Sequence, residues 1–277
     1  MLNIGCHLSI SDGYYKAAKK AVSIGANTFQ FFTRNPRGGK AKDIDLEDIE
    51  NLKEVINKNS FAALFAHGAY TMNLCSNKER TRNFAKMILK DDLERLKEIP
   101  SSYYIFHPGS HVGQGTEKGI ELIVEGLNEA ITEDNNTTIL LEGMSGKGSE
   151  VGRNMEELKA IIDGVKHNKN MGICIDTCHL YSSGFDIVND LDGVLDHIDS
   201  ILGLDKVKAV HLNDSKMPFA SNKDRHEVIG AGTIGKDAII RIINHPKLKD
   251  LTFNLETPNE LDGYKEEIEM LRQAYRY

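Results

Sequence analysis

The 277 residues carry 34 Lys and Arg against 41 Asp and Glu, and a composition of 40% hydrophobic and 27% charged residues excludes a disordered, fibrous or membrane-spanning chain. The net charge of -7, taken alone, argues against a nucleic-acid partner, because domains that bind nucleic acid are usually basic. Local charge outweighs the total, however, and Thr33 to Lys42 holds Arg34, Arg37, Lys40 and Lys42 with no acid. The first residues, Met1 to His7, lack the basic and apolar regions of a signal peptide, so a cytoplasmic protein is expected.

In chain order, strands are predicted at Asn3–His7, Thr28–Phe32, Ala62–His67, Tyr103–His107, Thr138–Glu142, Met171–Asp176, Val207–Leu212 and Leu251–Glu256. Helical segments lie between them. Ser76 with Glu79 reads as a capping box for a helix carrying Ala85, Leu89, Leu93 and Leu96. Asn154 with Glu157 reads the same way ahead of Leu158, Ile161, Ile162 and Val165. Leu191, Val194, Leu195, Ile198, Ile201 and Leu202 mark a further amphipathic helix. Strands that alternate with helices imply parallel pairing, and a single (β/α)8 TIM barrel over residues 1–277 is the expected α/β fold and the only domain. An open doubly wound sheet would carry a glycine fingerprint after its first strand. His7 to Gly13 is no such loop, and Gly146 to Gly152 misses the GxGxxG spacing by one residue.

Six predicted strands carry, at or one residue before their ends, a residue that can bind metal: His67, His107, Glu142, Asp176, His211 and Glu256. In a barrel these ends converge on the mouth, where so many buried imidazoles and carboxylates would be costly without cations. Asp176-Thr177-Cys178-His179 adds His179, and Asp224-Arg225-His226 adds a chelating pair in the loop after the seventh strand. Five His, two Asp and two Glu suit zinc, with manganese or iron as possible substitutes. Cys178 is a lesser candidate, and with Cys6, Cys75 and Cys174 it is read as a reduced thiol, since no CxxC pair occurs. His7 and His111 lie near the expected mouth, whereas His167, His197 and His245 read as surface residues.

The stretches Phe106-His107-Pro108-Gly109-Ser110-His111, Asp176-Thr177-Cys178-His179, His211-Leu212-Asn213-Asp214, Asp224-Arg225-His226 and Leu255-Glu256-Thr257 resemble the signatures of the endonuclease IV family, in order along essentially the whole chain. The resemblance implies three zinc ions per chain. His67, His107 and Glu142 would hold one; Glu142, Asp176, His211 and Glu256 a second, with Glu142 bridging; His179, Asp224 and His226 the third. It also implies that Arg37 and Tyr70 lie on loops that enter the minor groove of double-stranded DNA at an abasic site. Gly38 and Thr71 depart from the larger side chains frequent in the family. Lys147, Arg153, Lys216 and Arg225 are placed to meet phosphates.

The reaction so implied is hydrolysis of the phosphodiester 5′ to an abasic site by a monomer, leaving a 3′ hydroxyl and a 5′ deoxyribose phosphate. The alternative is a divalent-metal sugar isomerase or epimerase on a related barrel, for which Glu142, Asp176, His211 and Glu256 would suffice. His67, His107, His179, Asp224 and His226 would then have no obvious task.

Overall fold

Each strand predicted from the sequence forms, and the eight lie parallel in one sheet. In the computed structural model, which describes residues 1–100 and 102–276, they are β1 (Asn3–Cys6), β2 (Gln30–Phe32), β3 (Leu64–His67), β4 (Ser102–Phe106), β5 (Thr138–Glu142), β6 (Met171–Asp176), β7 (Val207–His211) and, after a short ribbon of β8 (Asp214–Ser215) and β9 (His226–Glu227), β10 (Thr252–Leu255). The order around the sheet is β1, β10, β7, β6, β5, β4, β3, β2. A bridge between His7 and Gln30 closes the circle, with Leu8 N–H donating to Gln30 O at 2.8 Å. This is a (β/α)8 TIM barrel.

The seam between β1 and β2 is tight. A Cβ on Gly5 would lie 2.1 Å from Thr28 O, so only glycine allows the two strands to approach this closely. Thr28 Oγ1 donates to Ala63 O at 2.5 Å, and the regular ladder starts only at Gln30 and Leu64, two residues after the predicted starts.

Helices α1 (Tyr14–Ser23), α2 (Leu46–Lys58), α3 (Glu79–Leu96), α4 (Thr116–Ala130) and α5 (Met155–Gly164) follow the first five strands; α6 (Thr177–Ser183) and α7 (Leu191–Leu202) follow β6; α8 (Lys236–Asn244) and α9 (Leu261–Ala274) complete the ring. In α1 the buried residues are Tyr14, Ala17, Ala18 and Ala21, the stripe a helix turns toward a sheet. Its first amides, of Tyr14 and Tyr15, donate to the Asp48 carboxylate of α2 at 2.6 and 3.2 Å, so one helix caps its neighbour.

Of the two predicted capping boxes, one forms in half: the N-cap bond is made, and the glutamate accepts from amides one and two residues before the N-cap. Asn154 Oδ1 accepts from Glu157 N–H at 2.9 Å, while buried Glu157 reaches back to Gly152 N–H at 2.7 Å. Ser76 does not cap α3. The helix begins at Glu79 with Lys78 as its N-cap, which leaves Ser76 too far upstream, and its hydroxyl accepts from Lys78 N–H in a local turn instead.

Inside the barrel, Phe65, Ile105, Leu140, Cys174 and Ala209 form a fully buried plug. Strand side chains alternate with a period of two, so the next inward position on each of these five segments lies one step toward the C-terminal mouth. Those positions are His67, His107, Glu142, Asp176 and His211. The apolar plug is thus the floor of a polar chamber.

Candidate metal centre

His67, Glu142, Asp176 and His211 close their strands, and His107 and Glu256 follow theirs by one residue. Glu142, 1% exposed, stands at the centre. Its Oε2 lies 3.1 Å from His67 Nε2 and 3.3 Å from His107 Nε2; its Oε1 lies 3.2 Å from His179 Nδ1 and 3.3 Å from His211 Nδ1. Glu256 Oε2 is 3.4 Å from His211 Nδ1, and Asp224 Oδ1 is 3.4 Å from both His179 Nε2 and His226 Nε2.

Ligand-type atoms gather within 4.8 Å of one another in His67, His107 and Glu142, and again in Glu142, Asp176, His211 and Glu256. These are the first two expected sets. Around the third, Asp176 joins His179 and His226, and Cys178 joins Asp224 and His226, in two overlapping groups. All four cysteines are free and buried, and burial pushes the Cys178 thiol up to about 11, an unfavourable start for a thiolate ligand.

The chemistry of these donors fits a cation. Glu142 Oε1, His179 Nε2, His211 Nδ1 and His226 Nε2 are buried without a hydrogen-bond partner, and all four face the cluster. In four of the five histidines the other ring nitrogen is engaged. His67 Nδ1 donates to Gly68 O at 2.7 Å, His179 Nδ1 to Gly143 O at 3.0 Å, His226 Nδ1 to Glu256 O at 3.2 Å, and His211 Nε2 to Gln30 Oε1 at 2.7 Å. An imidazole that donates through one nitrogen presents the lone pair of the other, the arrangement of metal-binding histidines.

Within the cluster, carboxylates and imidazoles favour each other's charged forms. Burial opposes charge on Glu142, but the attraction of His107 and His211 wins and holds its carboxyl well below the usual range. Glu256 is drawn down to about 2 against burial, chiefly by His211. Burial also opposes the charging of His179 and His211, yet both are raised well above the ordinary imidazole value, His179 chiefly by Asp176 and His211 by Cys174, Glu256 and Glu142.

Two residues of the centre escaped the sequence reading. Gln30 is fully buried and touches both His211 and Glu256. Asn213 donates through Nδ2 to Asp176 Oδ2 at 2.7 Å and accepts from Glu256 N–H at 2.8 Å. The available signal for Gln30 was an amide at an inward position between Phe29 and Phe31.

The surrounding loops are mixed. Tyr70, 61% exposed, stands at the rim with its ring 4.9 Å from Phe32 and 6.0 Å from both His67 and His107. Arg37 is exposed on the loop between β2 and α2. Arg34, counted in the same basic run, is not available to a ligand: its guanidinium is buried against Asp92 and Asp91 and donates to Gly39 O at 2.6 Å. Lys147, Arg153, Lys216 and Arg225 are exposed, although Arg153 pairs with Glu157 and Lys216 with Glu227. His7 packs on Phe32 at 4.4 Å beside Gln30, and His111 accepts from Gly115 N–H in the turn before α4. A side chain at Gly38 would meet nothing nearer than Asn35 at 3.7 Å, and Thr71 is exposed.

Residues 18–274 match the family model described as a xylose isomerase-like TIM barrel, the class that this fold and its polar mouth define. A protein named "Probable endonuclease 4" from Alkaliphilus oremlandii is 60% identical, covering 100% of this chain and 98% of that protein. Another of that name from Clostridium botulinum is 59% identical over 100% of both. The crystal structure of endonuclease IV from Thermus thermophilus superposes with a TM-score of 0.87 at 30% identity, covering 98% of each chain. The chain belongs to the endonuclease IV family.

Proposed function

We propose that the protein is a zinc-dependent DNA repair endonuclease that hydrolyses the phosphodiester 5′ to an abasic site, leaving a 3′ hydroxyl and a 5′ deoxyribose phosphate. One observation carries the reading: the buried Glu142 carboxylate turns one oxygen to His67 and His107 and the other to the unpartnered Nδ1 of His211. A carboxylate so placed can bridge two cations, which a sugar isomerase served by the quartet alone does not require.

Zinc would be held by His67, His107 and Glu142 and by Glu142, Asp176, His211 and Glu256. A third ion would be held by Asp224 with His179 and His226, whose Nε2 atoms both lie 3.4 Å from Asp224 Oδ1; manganese or iron could replace some of the zinc. Bound there, zinc supplies Lewis acidity toward a phosphodiester and lowers the pKa of water. The chain's own residues place the substrate. Arg37 and Tyr70 meet double-stranded DNA, and the collapsed sugar without its base costs less to draw out of the stack than a paired nucleotide. The chain acts as a monomer in the cytoplasm; among the described residues no helix is long and apolar enough to cross a membrane.

The test is a labelled duplex with one abasic site, incubated without magnesium in a buffer containing chelator, alongside elemental analysis of the protein. The expected result is a nick on the 5′ side whose end a polymerase extends, from protein carrying close to three transition-metal ions. An adduct trapped by borohydride would replace hydrolysis with elimination through a lysine. A single ion with no incision would favour the isomerase.

Arg37→Ala and Tyr70→Ala are expected to weaken binding to the abasic duplex and leave metal content intact. If Arg37 meets a phosphate, its loss also flattens the log–log salt dependence by about one unit. Unchanged affinity in both variants would remove these loops from the DNA interface.

A further inference from the structure

Three of the four histidines whose outward nitrogen is engaged are fixed by main-chain carbonyls, of Gly68, Gly143 and Glu256, which no substitution deletes. The fourth, His211, is fixed by the side chain of Gln30. Gln30 carries no charge and is not itself a metal ligand. It lies on β2, at the seam where the barrel closes, and its side chain is fully buried.

The orientation of its amide is forced. Gln30 Nε2 lies 2.5 Å from Glu256 Oε1, and a carboxylate oxygen only accepts, so the nitrogen must face Glu256. The same nitrogen reaches His7 Nδ1 at 3.1 Å, which occupies its second hydrogen. The carbonyl oxygen is left for His211 Nε2 at 2.7 Å, and that nitrogen must therefore be the donor. His211 Nδ1 then faces Glu142, Glu256 and Asp176 at 3.3, 3.4 and 3.9 Å, without a hydrogen bond of its own.

We infer that Gln30 is a positioning residue of the centre: one side-chain amide selects Nδ1 as the ligating atom of His211 and commits Glu256 Oε1, leaving Oε2 for the cation. This rests on the metal reading above and adds a residue that binds no metal itself. Partners of this kind are worth about 10–100-fold in metal affinity. The ion held by Glu142, Asp176, His211 and Glu256 should feel the loss most.

The decisive variant is Gln30→Met, which keeps the length of the side chain and removes its hydrogen bonds to His211, Glu256 and His7. Zinc retention is measured by competition with a chromogenic chelator, and the His211 tautomer by 15N chemical shifts of the imidazole nitrogens. The wild type is expected to show a single Nε2–H tautomer. In Gln30→Met about one ion of the three should be lost about 10–100-fold more readily, with mixed His211 tautomers. Gln30→Glu provides the second arm. It retains an acceptor for His211 but sets a like charge against Glu256, so the tautomer should stay single while zinc is held less well. Wild-type zinc retention in both variants, or an unchanged tautomer in Gln30→Met, would overturn the proposal. A wild-type protein that takes up no zinc would remove the metal reading itself and this inference with it. Loss of abasic incision with normal zinc in the wild type would instead count against the nuclease reading alone.

Discussion

Glu142→Gln is expected to lower incision of an abasic duplex by more than about 100-fold, beyond the range seen when a residue that merely orients a ligand is lost. The substitution preserves shape and removes one negative charge from the middle of the cluster. It also turns an –NH2 either toward His67 and His107 or toward His211, where a cation needs a lone pair. Both sets that share Glu142 are weakened together, so elemental analysis should show about two ions fewer than the wild type. Asp224→Asn is the comparison, because that side chain is 39% exposed at the rim and serves one set. It should cost less activity and about one ion. Near-wild-type turnover in Glu142→Gln would exclude a bridging role.

The second large effect lies away from the chemistry. Asp92→Ala should destabilise the fold by about 3–5 kcal/mol, the usual consequence of removing one partner from a buried ion pair. Asp92 is fully buried; it accepts from the buried Arg34 guanidinium and from Tyr104 Oη at 2.9 Å. After the change, Arg34 retains only the half-exposed Asp91 and Gly39 O. Equilibrium unfolding in urea measures the loss, and a value below about 1 kcal/mol would mean that water reaches the guanidinium. Because Arg34 ties down the segment that carries Arg37, amide exchange across residues 35–44 should quicken in the same variant. Replacing Arg34 and Asp92 together by apolar residues should cost less than the single change, since no charge is then left alone.

Most of the barrel was legible because its signals are local. Strand runs such as Met171–Asp176 are apolar, short and bounded, and their ends carry residues that a core would otherwise reject. The period of two then places Phe65 beneath His67 and Leu140 beneath Glu142 with no tertiary knowledge. What failed was one local pattern and three residues whose partners are distant in sequence. Ser76 matched a capping pattern, but the start of α3 is set two residues later than that pattern requires. Arg34 looked like one more loop cation, and only the fold brings Asp92 of α3 beneath it. Gln30 and Asn213 stayed hidden for the same reason. An amide has no charge or metal affinity to betray it, and its role exists only once the ends of β2, β6, β7 and β10 converge on the barrel mouth.

The strand order also fixes when this protein can come into being on the ribosome. β1 is made first, yet one of its two neighbours is β10, and α9 sends Arg272 back to Leu2 O, Gly25 O and Asn27 Oδ1. Until residues 252–255 emerge, a nascent chain holds two unsatisfied strand edges, at β1 and at β7, which invite pairing with other chains. Contacts of such long sequence separation form late and slowly. Glu256 follows the closing strand directly, so the last ligand of the quartet reaches the mouth together with the strand that seals the barrel. A stalled or truncated chain therefore has neither a closed sheet nor a complete centre.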